Sequence, residues 1–130
     1  MSRSPFYYEH SPKLFSGRIS LIKSDLDYLN SKGIKKLVLL QDVNDNILNA
    51  LRTAGFAVKV FHLGTNPPYD SEKLRVVSRA MASARVSLQK NEGVAVLCNQ
   101  GFRSFDICKE IHNPIDRKRL TKTRIRRLRK

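Results

Sequence analysis

The chain has no tryptophan, two cysteines, two methionines and three histidines in 130 residues, and acids are scarce, with 11 Asp and Glu against 25 Lys and Arg. Two cysteines cannot build the disulfide framework of a small secreted domain, which points to a reducing compartment. His10, His62 and His112 lack the spacing of metal ligands, so neither a metal centre nor a resident cofactor is expected. No apolar run approaches the ~18 to 20 residues of a membrane span. Met1 to His10 has no apolar core followed by a small-residue cleavage site. The expectation is a soluble intracellular protein, cytoplasmic or nuclear.

The shortage of acid leaves a net charge of +14, and it is unevenly placed. From Ile115 onward, Arg117, Lys118, Arg119, Lys122, Arg124, Arg126, Arg127, Arg129 and Lys130 face the single acid Asp116. A basic segment of this density binds polyanions by counterion release, and nucleic acid is the commonest such partner. Solvation or targeting is the plainer alternative. Leu120, Ile125 and Leu128 make a ragged apolar stripe, consistent with a helix that forms on binding.

The length fits one domain with a real core. Residues 1–12, with Phe6, Tyr7 and Tyr8, read as an arm or edge strand, residues 13–114 as the domain, and residues 115–130 as a basic tail. Lys13 to Ile19 reads as an extended segment. Ser24 precedes a helix over Asp25–Ser31, with Gly33 beyond its end. Lys35–Gln41 reads as a strand, Asn44 or Asp45 caps a helix closed by Gly55, and Ala57–Leu63 is the next strand. Pro67 and Pro68 forbid helix in the loop that follows. Ser71 is expected to cap the longest helix, Glu72–Lys90, whose apolar face is Leu74, Val77, Met81, Ala84, Val86 and Leu88. Val94–Leu97 is a buried strand, and Ser104–His112 a helix. The alternation predicts an α/β fold whose mainly parallel central sheet has right-handed crossovers and flanking helices.

In such a sheet ligands bind at the carboxyl ends of the strands, and Cys98 stands at that end of the most apolar one. The turn through Asn99, Gln100, Gly101 and Phe102 leads into a helix start, where backbone N–H groups and the helix dipole favour an anion and lower the pKa of a thiol. Gly101 permits a left-handed turn, Arg103 offers a planar fork for two oxygens, and the Ser104 hydroxyl can stabilise sulfur as a leaving group. A buried core role is the alternative for Cys98 and the commoner expectation for Cys108. Asp70 is either an acid at the site or a loop or cap residue; Asp42 and Asp45 follow the first strand and could approach the same mouth, although capping accounts for Asp45.

This order of residues resembles the cysteine-dependent tyrosine and dual-specificity phosphatases. The likeness runs over residues 13–112 and rests on Leu14–Phe15–Ser16–Gly17–Arg18, on Asp25–Leu26, on Gly33 to Leu40, and on the long helix before Val94–Ala95–Val96–Leu97–Cys98. It implies a three-layer phosphatase-like fold and phosphate-ester hydrolysis through a cysteinyl-phosphate. Cys98 would be the nucleophile, Arg103 the phosphoryl clamp, Ser104 a support for sulfur, Asp70 the general acid and residues 99–102 the phosphate cradle. Two departures stand out: Leu97 replaces the family's histidine, and the loop between Cys98 and Arg103 is one residue shorter than the family's. The spacing Cys98-x-x-Gly101-x-Arg103-Ser104 resembles the loop of single-domain rhodaneses, which carry sulfur as a persulfide. A phosphatase-like module without catalysis, binding nucleic acid through its tail within a larger assembly, accommodates both likenesses.

Overall fold

Every residue of the strand Gly93–Cys98 is buried, because it has helices on both faces and strands on both edges. The computed structural model describes residues 7–63, 69–99 and 102–112. Its strands are β1 (Tyr7–Ser11), β2 (Leu14–Arg18), β3 (Ile34–Leu39), β4 (Ala57–Val60) and β5 (Gly93–Cys98). Its helices are α1 (Lys23–Ser31), α2 (Asp45–Thr53), α3 (Ser71–Gln89) and α4 (Phe102–His112). The sheet order is β1-β2-β5-β3-β4; β1 is antiparallel to β2 and every other pairing is parallel. This is the three-layer α/β arrangement expected from the sequence. Tyr7–Ser11, in the segment read as an arm or edge strand, is the edge strand, anchored by the buried Tyr7.

Alternation along β5 divides the core. Val94, Val96 and Cys98 pack with Leu74, Val77, Met81, Ile107 and Ile111 of α3 and α4. Ala95 and Leu97 point to the other face, against Leu26 and Leu29 of α1 and Leu51 of α2. Burial on both faces explains why β3 and β5 read as near-continuous apolar runs. The start of β5 lies tight against the turn into β3: a Cβ on Gly93 would sit 2.4 Å from the Gly33 carbonyl oxygen. Gly33 itself holds φ +79°, the left-handed conformation that ends α1.

Several boundaries differ from expectation for local reasons. The cap of α3 is Asp70, not Ser71: its Oδ1 accepts from the Lys73 N–H at 2.8 Å. Helix α1 begins at Lys23, with Ser24 inside it, and the nearby Ser20 hydroxyl donates to Asp25. Asn44, one of the two expected caps, accepts from the Ile47 N–H. Strand β4 stops at Val60, since Leu63 N–H turns back to the carbonyls of Phe61 and Leu40. On α3 the buried stripe takes Ala80 and Ser87, while Val86 is 47% exposed, because 3.6-residue periodicity carries it off the core face. No described helix is long and apolar enough to cross a membrane.

Candidate active site at the carboxyl end of the sheet

Strand β5 delivers Cys98 to the end of the sheet, where its backbone is held on both sides. Ile19 N–H donates to the Cys98 carbonyl at 3.2 Å, and Leu40 N–H to the Leu97 carbonyl at 2.9 Å. Leu63 N–H in turn donates to the Leu40 carbonyl at 3.2 Å. One row of hydrogen bonds thus aligns the segments that follow β2, β3 and β4 with the end of β5. Helix α4 begins at Phe102, directly beyond this row, and places Arg103 and Ser104 in its first turn.

The Cys98 side chain is 1% exposed and its thiol donates to the Ser104 oxygen at 3.5 Å. Ser104, also buried, donates to the Gly17 carbonyl at 3.1 Å. This chain joins the cysteine to β2 through α4. If Cys98 loses its proton, the Ser104 hydroxyl can turn its own proton toward sulfur, exchanging the bond to Gly17 for a charge-assisted one.

Arg103 is half-buried, and its guanidinium field reaches Tyr69. The Tyr69 phenol is buried and pushed up to about 12, first by burial and further by Asp106 and Cys98, with Arg103 opposing. Cys98, Tyr69, Arg103 and Asp106 therefore share one electrostatic neighbourhood. Cys108 differs in kind: its thiol donates to the Phe15 carbonyl at 3.4 Å, and burial drives its pKa far up. It is a core thiol, as its place on α4 led us to expect.

Of the other residues singled out from the sequence, Asn99 is exposed just past β5, and Gln100 and Gly101 lie outside the described residues. The basic residues 117–130 lie outside them too. Asp70 stands beside Tyr69 with Oδ1 engaged in the α3 cap. Among the described residues no three His, Cys, Asp or Glu side chains converge as a metal site would require.

Sequence reasoning missed two features of this end of the sheet. One is Tyr69, which looked like a loop residue. The other is a close contact between His62 Nδ1 and Asp42 Oδ1, whose residues follow adjacent strands. The second had a signal: once two strands are recognised as parallel neighbours, the residues just beyond their carboxyl ends are neighbours as well.

No family model matches the sequence, and no curated protein matches it. Solved structures do. A putative phosphatase (DUF442) from Shewanella putrefaciens is 15% identical, with a TM-score of 0.64 over 81% of this chain and 68% of its own. The human tyrosine phosphatase-like serine/threonine/tyrosine-interacting protein is 26% identical, with a TM-score of 0.64 over 81% of this chain and 70% of its own. Tk-PTP in the active form is 16% identical, with a TM-score of 0.59 over 88% of this chain and 85% of its own. By sheet order, by the strand that ends in Cys98 and by these likenesses, the chain has the fold of the cysteine-dependent tyrosine and dual-specificity phosphatases.

Proposed function

We propose that the protein hydrolyses phosphate esters through Cys98. The observation that carries this reading is the placement of the Cys98 sulfur at the end of β5, hydrogen-bonded to Ser104 in the first turn of α4 beside Arg103. A dianionic phosphoryl group there meets a helix N-terminus and a guanidinium, which stabilise the charge that develops in transfer. The Cys98 thiolate attacks phosphorus, the S–P bond forms as the ester P–O bond breaks, and the leaving oxygen takes up a proton. Water then attacks phosphorus, the S–P bond breaks, and the Ser104 hydroxyl receives the departing thiolate. The proton donor in this proposal is Asp70, from its place in the sequence relative to Cys98.

The cradle is one residue shorter than in the phosphatases it resembles and supplies one backbone N–H fewer. This favours a compact or weakly held phosphoryl group and modest turnover. The net charge of +14 favours polyanionic substrates, such as an RNA 5′ end or an inositol phospholipid, beside phosphoproteins.

A second reading, an anion-binding module without turnover that engages nucleic acid through its tail, is supported by the short loop and by a sulfur only 1% exposed. Hydrolysis of p-nitrophenyl phosphate by the wild type and by Cys98→Ser separates the two. Turnover abolished by the substitution is the expected result. No turnover in either, with salt-dependent RNA binding removed by truncation after Pro114, supports the module instead. Sulfur transfer from thiosulfate to cyanide, if observed, supports the rhodanese reading.

A further inference from the structure

Three aromatic rings meet where α4 packs on the edge strand β1. The ring centroids of Tyr8 and His10 are 4.8 Å apart, and each lies 5.0 Å from that of Phe105. The rings are mutually tilted, at interplanar angles of 61°, 67° and 56°, so each braces the others. His10 is also tied to the sheet, with Nε2 2.8 Å from the Ser16 hydroxyl. Tyr8, by contrast, is 54% exposed. The cluster holds in place a ring that stays open to a ligand.

Basic residues flank this cluster. Phe105, Lys109 and His112 are spaced i, i+4 and i+7 on α4, which sets them along one side of the helix, and Lys109 and His112 are exposed. Burial, and then His112, lowers the His10 pKa to about 4, which places His112 near the cluster and leaves the His10 ring neutral at pH 7. The acids nearest in sequence point elsewhere: Glu9 pairs with Phe15, whose ring belongs to the opposite core, and Asp106 acts on Tyr69. Beyond His112 the sequence soon enters the run of nine Lys and Arg that begins at Arg117. An exposed ring beside such cations fits a ligand that carries both π faces and negative charge. Single-stranded nucleic acid has both, since unpaired bases stack on aromatic side chains while phosphates engage Lys and Arg. An acidic peptide would satisfy the cations and leave the ring unused, and a duplex buries its base faces.

We propose that Tyr8, braced by His10 and Phe105, is a stacking platform for a base of single-stranded nucleic acid whose phosphates engage Lys109 and the basic segment beyond α4. The ring supplies affinity for bases, and the cations supply the salt-dependent share. Phe105 directly follows Ser104, so α4 carries residues of the Cys98 site on one side and the platform on another. Binding at the platform does not depend on hydrolysis at Cys98.

The test measures, by fluorescence anisotropy over a salt series, binding of the full chain to a labelled oligo(dT) of about 12 nucleotides and to an abasic strand of equal length. The wild type is expected to bind the oligo(dT) more tightly. Tyr8→Leu keeps apolar bulk against Phe105 but has no π face, and should weaken oligo(dT) binding by about 5- to 100-fold. The same substitution should leave affinity for the abasic strand, and the slope of log affinity against log salt, unchanged, because no phosphate contact is lost. Tyr8→Phe retains the ring and should bind as the wild type does. A purely structural role for the rings would weaken both strands together, in step with a lower denaturation midpoint. Equal wild-type affinity for the two strands, an equal loss for both in Tyr8→Leu, or a Tyr8→Phe chain as weak as Tyr8→Leu overturns the platform. Failure of the wild type to bind either strand overturns the nucleic-acid partner as well and leaves the exposed ring to a protein contact.

Discussion

Ser104 has one hydroxyl proton and two neighbours for it, the Gly17 carbonyl and the Cys98 sulfur. The resting arrangement gives the proton to Gly17, and a thiolate would reclaim it. Ser104→Ala removes both options. It should cost about 1 to 3 kcal/mol in chemical denaturation, because a buried acceptor loses its donor. It should also slow the second chemical step, in which sulfur departs, more than the first. Three further substitutions probe two other residues. Gly93→Ala forces a methyl into the space of the Gly33 carbonyl and should destabilise by about 1 to 3 kcal/mol, read from the denaturation midpoint. Asp70→Ala should cost about 1 kcal/mol through the lost cap, whereas Asp70→Asn keeps an acceptor for Lys73 N–H and should lose little stability.

At the scale of elements, β1 is held in place by a titratable group. His10 lies at a bulge, where the register passes from Glu9–Phe15 to Ser11–Leu14. Its Nε2 is 2.8 Å from the Ser16 hydroxyl, and its ring packs against Tyr8 and Phe105 at centroid distances of 4.8 and 5.0 Å. Burial, and then the nearby His112, lowers its pKa to about 4 from 6.5. A depressed histidine pKa means that the unfolded chain binds the proton more readily. The stabilisation is therefore complete above pH 6.5 and is lost as pH falls from there toward 4. A thermal melt series over that window should show a falling midpoint, and His10→Phe should flatten the dependence; an unchanged slope would refute this role for His10.

Much of this level was legible in the sequence. The apolar runs of β3 and β5 and the glycines after α1 and α2 announce themselves locally. What stayed hidden depended on tertiary contacts. The end of β4 is set by bonds from Leu63 to Leu40, the α3 cap by whether Asp70 or Ser71 adopts extended backbone, and the burial of Tyr69 by packing against Cys98 and its neighbours. The order Cys98, Arg103, Ser104 was visible in the chain, but the pairing of His62 with Asp42 required knowing that β3 and β4 lie side by side.

At the scale of the whole molecule, the chain carries a net charge of +14. If the nine basic residues after Ile115 contact a single-stranded nucleic acid, the logarithm of affinity should fall with the logarithm of salt by roughly 0.7 per phosphate neutralised. Truncation after Pro114 should then flatten that slope and leave aryl phosphate hydrolysis in place. A slope equal in the full and truncated chains would move the polyanion contact to the domain itself.

The central claim is that Cys98 forms a bond to phosphorus, and trapping the intermediate tests it most directly. Acid quenching during turnover of p-nitrophenyl phosphate, followed by peptide mass analysis, should place one phosphoryl group on the peptide containing Cys98 and none on that containing Cys108. Turnover with no phosphoryl group on Cys98 in the quenched enzyme, or turnover that persists in Cys98→Ser, would contradict the account.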